Sequence, residues 1–347
     1  MRNYLGIVLI LMTTCIEPYE VVAPDGESLL SVEGHITDGP GPHVIKLTRT
    51  ATYGSVFVDF TRPVALARVA VRENESGLTF ILQETAQGVY ETTEEFRARV
   101  GNSYSLLITT REGREYRSFP SRMNAVPVID SVSFETIVIP TEDRLNDRSG
   151  LQFVSHFRDP SDQQNFYFWL AKNAVATVET FPEFYKPRFS LPTDPYQPKD
   201  CCKYCDLKQV VTTGSLFIQN DELFNGLRTT QLALFIEDDG LRFNHKFKFE
   251  LHQMGIDAET YQFMRLINQQ LALTGSVFDE PPANIRGNII SLDDPEETVL
   301  GYFFAAGVSI EEINLEVDDL ELLQPPVRIN DDCRILIDGV PPRVPTQ

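Results

Sequence analysis

The feature that most limits the fold is a series of short segments in which apolar and polar residues alternate. The pattern is strictest in residues 43–49 (HVIKLTR), where Ile45 and Leu47 flank Lys46. A period of two places the apolar side chains on one face of a strand. Further segments of this kind lie at 29–37, 69–73, 79–83, 88–92, 103–110 and 115–118. Because turn residues separate them at intervals of roughly ten residues, residues 28–125 are predicted to form a β-sandwich.

A second region, residues 128–339, follows a break at residues 123–127, and residues 340–347 form a tail. Its expected strands lie at 152–157, 165–170, 231–236 and 246–251. Asp257 is suited to cap a helix that runs to about residue 273. Four apolar residues share one helix face, which is expected to cover a sheet: Phe263, Leu266, Ile267 and Leu271. The fold class is therefore mainly β, with an immunoglobulin-like or transthyretin-like sandwich followed by a larger β-rich domain with one amphipathic helix.

The N-terminus carries a sorting signal. Arg2 precedes an apolar run (residues 4–12) and small residues that lead into Cys15. A cation, a short apolar run and small residues before a cleavage site form a secretory signal, and the run is shorter than the roughly 20 residues of a membrane-spanning helix. A cysteine directly after the cleavage site makes it a lipoprotein signal. Residues 1–14 are therefore predicted to be removed, Cys15 to be acylated (palmitate), and residues 15–27 to form an acidic tether.

Residues 16–20 (IEPYE) place two carboxylates directly after Cys15. This stretch resembles the surface-export signal of Bacteroidetes lipoproteins. It implies a lipid-anchored protein of the outer membrane that faces the cell exterior. A charged, solvated linker is the open alternative.

The chain is strongly acidic, with a formal net charge of −20. Such a surface repels phosphate backbones, so nucleic-acid binding is not expected. We find no Gly-rich phosphate loop, no His-Glu-x-x-His and no Gly-x-Ser-x-Gly motif. The acidic turns at 237–240 and 293–297 lack the alternating oxygen spacing of a calcium loop. The sequence therefore predicts no catalytic residues, no metal and no cofactor.

Besides Cys15 there are four cysteines, at Cys201, Cys202, Cys205 and Cys333. In an exported chain they predict two disulfides, with three possible connectivities. Pairing the adjacent cysteines would strain the peptide bond between them, so Cys333 is expected to bond a member of the 201–205 cluster. A zinc site is the open alternative, because Cys202 and Cys205 have the spacing of zinc ligands.

Residues 181–200, called the excursion below, are rich in proline and aromatic residues and end at the cysteine cluster. A long loop tied down by disulfides is commonly functional. Aromatic side chains in an exposed loop are frequent anchors of binding. We therefore expect partner or ligand contacts from five side chains: Phe181, Phe184, Tyr185, Phe189 and Tyr196.

Several ordered motifs resemble one known family. They are VEGHITD at 32–38, GPHVIKLTR at 41–49, GSVFDEPP at 275–282, IRGNI at 285–289 and ETVLGYF at 297–303. On these residues the chain resembles the domain-of-unknown-function 4249 family of Bacteroidetes outer-membrane lipoproteins, over essentially its whole mature length. The resemblance brings no catalytic residues with it.

What the resemblance implies is a non-enzymatic surface lipoprotein. Members of the family are similar to outer-membrane lipoproteins found alongside TonB-dependent transporters. The expected role is therefore that of an accessory subunit that captures or gates the substrate of such a transporter. A structural, assembly or adhesion component of the cell envelope is the open alternative.

Overall fold

A computed structural model describes residues 28–50, 61–141, 147–211, 213–272, 285–321 and 325–336. The predicted signal (1–14), Cys15, the predicted tether (15–27), the tail (340–347) and the GSVFDEPP motif lie outside these ranges. The strands of the first part are β1 (Leu30–Thr37), β2 (Val44–Thr50), β3 (Thr61–Pro63), β4 (Arg68–Glu73), β5 (Thr79–Ile81), β6 (Gln83–Ala86), β7 (Val89–Glu91), β8 (Ser103–Thr109), β9 (Glu115–Ser118) and β10 (Ser121–Arg122). Most of these strands coincide with the alternating segments.

The second part contains longer strands and one α-helix. Its elements are β11 (Ile129–Ile139), β12 (Arg148–Arg158), β13 (Phe166–Glu179), β14 (Tyr204–Lys208), β15 (Phe217–Asn220), β16 (Arg228–Glu237), β17 (Lys246–Ile256), α1 (Ala258–Leu271), β18 (Ile289–Ser291) and β19 (Leu300–Glu316). Short 3₁₀ helices lie at Pro182–Phe184, Val317–Asp319 and Cys333–Leu336. The predicted fold class, mainly β with one helix, is confirmed.

The first sandwich packs two sheets around the apolar faces of the alternating strands. One layer contains β19, β1, β2, β7 and β6 in that order, and the other contains β18, β9, β8, β4 and β5. Val32, Ile45, Leu47, Val71 and Leu106 lie between the layers and are fully buried. Burying a side chain of this size stabilises the fold by about 1.5–3 kcal/mol relative to exposure. The β-sandwich predicted from the period of two is confirmed.

The second sandwich packs the sheet β11-β12-β16 against β13, β17 and the C-terminal half of β19. β13 opens with an uninterrupted apolar run because both of its faces are covered. Tyr167 and Trp169 enter the core of this sandwich, whereas Phe168 points to the opposite face. The fully buried amide of Gln253 accepts hydrogen bonds from Ser155 Oγ (2.8 Å) and Trp169 Nε1 (2.9 Å), so it adds no unsatisfied polar atom there.

The two sandwiches share β19. Its first part pairs in parallel with β1, from Ser31↔Leu300 to Thr37↔Ala306, and its second part pairs antiparallel with β17, from Gly255↔Gly307 to Lys246↔Glu316. β18 also pairs with β9 of the first sandwich. The predicted division at residues 125–128 therefore needs correction, because residues 289–306 complete the first core. Local alternation identifies a strand but does not show which distant strand it pairs with.

The predicted helix is present, but its buried face differs from the expected one. Asp257 caps α1 by accepting a 2.8 Å hydrogen bond from the N–H of Thr260. Thr260 and Met264 are buried against the sheet, whereas Leu266 and Leu271 are exposed. The stripe that meets the sheet is therefore rotated toward Thr260 and Met264, although Phe263 of the expected face still packs there, stacked on Tyr302 with 4.3 Å between ring centres. No helix in the described ranges combines the length and apolar composition needed to cross a bilayer.

Glycines permit two close backbone approaches that join these parts. A Cβ on Gly301 would lie 1.9 Å from the carbonyl oxygen of Val32, and Gly301 has a φ of +88°. Gly255 and Gly307 pair with each other where the chain between the sandwiches crosses them, and a Cβ on either would lie 2.5 Å from the carbonyl oxygen of Ala125 or Asn124. Only glycine fits such contacts without displacing the neighbouring strand.

Candidate functional site

The excursion leaves the sheet at the end of β13 and returns at the start of β14. Its two ends are neighbours, since Glu179 pairs with Tyr204 and the N–H of Thr180 donates to the carbonyl of Lys203 at 2.7 Å. The N–H of Phe181 donates to the carbonyl of Ile329 at 2.8 Å, which joins the excursion to the C-terminal segment. The base of the loop is therefore continuous with the sheet.

Disulfides fasten the base. Cys205 on β14 is bonded to Cys333, with both residues fully buried and their Cα atoms 6.0 Å apart. The expectation that Cys333 bonds a member of the cluster agrees with this pairing. Cys201 is bonded to Cys202, so the expectation that adjacent cysteines avoid each other is wrong. The peptide bond between them is cis and brings their Cα atoms to 3.2 Å.

Three of the five predicted aromatic residues form the inner part of the excursion. The guanidinium of Arg328 lies 4.6 Å from the ring centre of Phe181 and 5.1 Å from that of Phe184. The ammonium of Lys199 lies 4.0 Å from the ring of Tyr185, and its hydrogen bond to Asp331 raises the pKa of Lys199. Cation–π contacts of this geometry are worth about 0.5–1 kcal/mol each at exposed sites. These rings support the loop from within.

The other two predicted aromatic residues lie at the tip. Phe189 is 92% exposed and Tyr196 is 53% exposed, and between them Leu191 is 65% exposed. The tip is a compact turn, because the N–H of Leu191 donates to Asp194 Oδ2 at 2.7 Å and the N–H of Asp194 donates back to the carbonyl of Leu191 at 3.0 Å. Lys186 lies 5.0 Å from the ring of Tyr196. The tip thus presents apolar and aromatic surface beside a cation.

The sequence missed several residues of this site. Arg328 and Lys199 support the inner rings, and the exposure of Leu191 (65%) lies between those of Phe189 (92%) and Tyr196 (53%). The alternation of aromatic residues with Lys and Arg within the excursion is a signal for cation–π contacts. Arg328 lies more than 100 residues along the chain from the rings it covers, so no local pattern reveals it.

The sequence also missed a partly buried polar cluster that connects β1, β13 and β17. Nζ of Lys172 is 3.0 Å from Nε2 of His35, whose ring stacks on Phe304 at 5.0 Å between centroids. Nε2 of His252 is 2.9 Å from Oε2 of Glu250. Burial, and after it the charge of Lys172, holds the pKa of His35 well below its usual value. A neutral imidazole therefore accepts a hydrogen bond from the ammonium and ties β1 to β13.

The described residues contain one serine–histidine contact that merits comparison with catalytic sites. Oγ of Ser133 is 2.7 Å from Nε2 of His156, but Nδ1 of His156 contacts the hydroxyl of Thr230 at 3.0 Å. A catalytic triad uses a buried carboxylate at that position to orient the ring and stabilise the imidazolium. Across the same described ranges, no three His, Cys, Asp or Glu side chains come together as metal ligands.

The family model described as "Domain of unknown function (DUF4249)" matches residues 16–312. The chain belongs to this family. The matched range includes the excursion and Cys205, whereas Cys333 lies beyond it. The disulfide that fastens the excursion thus joins the family region to the C-terminal segment. No curated protein matches the chain.

Proposed function

We propose that the protein is a non-enzymatic lipoprotein of the outer membrane, anchored through lipid on Cys15 and displayed on the cell surface. Its proposed role is that of an accessory subunit that captures or gates the substrate of a TonB-dependent transporter. The tip of the excursion, formed by Phe189, Leu191 and Tyr196, is the proposed contact surface.

The observation that carries the proposal is the combination of an exposed apolar tip with a base held by a disulfide. A preordered loop loses less conformational entropy on binding than a flexible one, so more of the contact energy remains as affinity. Phe189 and Leu191 lie at the tip with 92% and 65% of their surfaces exposed. Large rings and aliphatic side chains of this kind form the buried centre of many interfaces.

The alternative role, a structural, assembly or adhesion component of the envelope, would use the same tip on a different partner. The two roles differ in what remains bound to the protein in solubilised outer membranes and in nutrient uptake. A transporter subunit co-purifies with its transporter, and its loss changes nutrient uptake. A structural component does not co-purify with a transporter, and its loss leaves uptake unchanged.

The test compares two double variants in the producing bacterium. Phe189→Ala with Leu191→Ala truncates the two apolar side chains of the tip (92% and 65% exposed), and Val210→Ala with Leu223→Ala truncates two exposed apolar side chains elsewhere (80% and 88%). Truncating anchors at an interface costs about 1–2 kcal/mol or more each, so the tip variant is expected to lower the amount of co-purified transporter at least about tenfold. The control pair is expected to leave it unchanged.

Equal recovery of transporter and equal uptake with the tip variant would rule out the proposed contact surface. If a different envelope component co-purifies with the wild-type protein but not with the tip variant, the structural role is favoured. Circular dichroism and thermal unfolding of both purified variants establish that each retains the fold.

A further inference from the structure

Two buried carboxylates of the second sandwich have no cationic partner among the described residues. Asp159 is 2% exposed and Asp221 is 1% exposed. Oδ1 of Asp159 accepts from the hydroxyl of Tyr167, and its Oδ2 accepts from the N–H of Gly226 at 2.9 Å. Within the described ranges no Lys, Arg or His side chain forms an ion pair with either aspartate. A buried ionised carboxylate is stabilised by a counter-charge, so a bound cation would be favoured beside these two side chains.

Asp221 also has a vacant acceptor. Its Oδ2 accepts from the N–H of Asn165 at 2.8 Å, whereas its Oδ1 is buried and has no hydrogen-bond partner. The two carboxylates join the same two loops: Asp159 accepts from the N–H of Gly226, and Asp221 accepts from the N–H of Asn165 and donates its own N–H to the carbonyl of Asn165 at 3.2 Å. Of the four carboxylate oxygens, only Oδ1 of Asp221 has no donor among the described residues.

Oxygen atoms converge on the side chain of Asn165, which also contacts the other oxygen of the Asp221 carboxylate. Nδ2 of Asn165 lies 3.1 Å from the carbonyl oxygen of Gln163, 3.3 Å from that of Pro160 and 3.4 Å from Oδ2 of Asp221. Three acceptors thus surround an amide nitrogen that has two hydrogens. Neighbouring ligands of Ca²⁺, at about 2.4 Å from the ion and about 80–90° apart, are separated by about 3.1–3.4 Å. The corresponding spacing around Mg²⁺ is about 2.9 Å, which is shorter than any of the three.

We propose that the loops 159–165 and 221–226 bind a calcium ion. The ligands are the carboxylate of Asp221, including its vacant Oδ1, the carbonyls of Pro160 and Gln163, and Oδ1 of Asn165. Rotation of the Asn165 amide by about 180° brings its oxygen to the position of its nitrogen, and the Gln163 amide, which donates to Asn165 Oδ1 at 3.1 Å, turns with it. The remaining contact, from Asn225 Nδ2 to the Gln163 carbonyl at 3.4 Å, is retained.

Asp159 positions the two loops relative to each other. It lies in the 159–165 loop, and its Oδ2 accepts a hydrogen bond from the N–H of Gly226 in the 221–226 loop. It also lines a cleft of ≈ 390 Å³ together with Pro160, Gly226 and the linker residues 125–127. Of the proposed ligands only Pro160 lines this cleft, whose wall also includes Arg158. Calcium therefore fixes both loops beside the chain that joins the sandwiches.

The test measures calcium binding to the full mature chain after treatment with EDTA, by calorimetry and by thermal unfolding. Ca²⁺ is expected to raise the Tm with a Kd of about 10⁻⁴–10⁻³ M, the range of extracellular modules. At ten times the Kd the unfolding equilibrium constant should fall about elevenfold. MgCl₂ at the same concentration is expected to have a smaller effect. An unchanged Tm of the wild type with saturating calcium would overturn the proposal.

Variants identify the ligands. Asp221→Asn is expected to abolish the calcium response, whereas Asp294→Asn, the same substitution in an exposed acidic turn, is expected to retain it. Asn165→Asp adds a carboxylate ligand, so it should lower the Tm in EDTA and bind calcium about tenfold more tightly. If Asp221→Asn fails to fold, the calcium dependence of the Tm of Asn165→Asp is the test of the site. A full calcium response in Asp221→Asn, or an Asn165→Asp protein that is destabilised equally with and without calcium, would refute the site.

Discussion

The Cys205–Cys333 disulfide should contribute more to stability than any other single contact of the excursion. It links residues that are 128 positions apart in sequence, across β14 and the C-terminal segment. In the unfolded chain this bond closes a very long loop and so removes much of its conformational freedom. The perturbation is the double variant Cys205→Ala with Cys333→Ala, because a single substitution would leave a free thiol beside the Cys201–Cys202 disulfide, where it can exchange.

The magnitude follows from the loop length. In the chain-entropy relation a loop of 128 residues loses about 17 cal/mol/K, which corresponds to about 5 kcal/mol at 25 °C. Both cysteines are fully buried, so replacing sulfur by hydrogen adds a small packing cost. Domains are stable by about 5–15 kcal/mol, so a loss of about 5 kcal/mol is a large fraction of the total.

The assay is chemical unfolding in guanidinium chloride under non-reducing conditions. The matched control is Cys201→Ala with Cys202→Ala, since that disulfide joins adjacent residues and closes no long loop. The first variant should lower the free energy of unfolding by up to about 5 kcal/mol, and the control should change it by about 1 kcal/mol or less. Equal losses in the two variants would refute the loop-entropy reasoning, and peptide mapping that found Cys333 bonded to another cysteine would refute the pairing.

Three further predictions concern other parts of the chain. Burial, then the charges of Lys172 and Arg97, lowers the pKa of His43 to about 4. Because the unfolded state therefore binds this proton at a higher pH than the folded state, the free energy of unfolding should fall by about 3 kcal/mol between pH 6.5 and pH 4. The free energy of unfolding of His43→Gln should change less over this range, and an equal pH dependence in the two proteins would contradict the assignment. Gly301→Ala should lower the free energy of unfolding by more than about 3 kcal/mol, because its Cβ would lie 1.9 Å from the carbonyl oxygen of Val32. In the control Gly113→Ala, with a similar φ of +87° and nothing within 4 Å, the loss should be only about 1–2 kcal/mol. Similar Tm values for the two variants would exclude the close approach as the cause. Cys15→Ser should abolish acyl labelling and release the protein from the membrane, and normal labelling of that variant in intact cells would exclude the lipoprotein signal.

The strands and the helix could be predicted because their signals are local. The alternation of residues 43–49 reappears as β2, and the cap at Asp257 reappears at the start of α1. The division into two cores could not be predicted in the same way. β18 and the first part of β19 lie more than 150 residues beyond the other strands of the sandwich they complete. The strand pattern of β19 is visible in the sequence, but its partner is chosen by the packing of the whole chain.

The excursion shows the same limit at the level of single residues. Its composition and its cysteines identified a tied-down aromatic loop, but Phe181 and Phe189 are equivalent in the sequence. In the structure Phe181 lies beneath Arg328, while Phe189 is exposed at the tip.

The sequence by itself determined the fold class, most strand positions, the helix cap and the candidate loop, because backbone geometry and turn chemistry depend on neighbouring residues. The tertiary structure alone decided which strands share a sheet, which cysteines pair and which aromatic side chains are exposed. Those properties depend on segments far apart in the chain, and a residue's burial is set by whatever distant segment covers it.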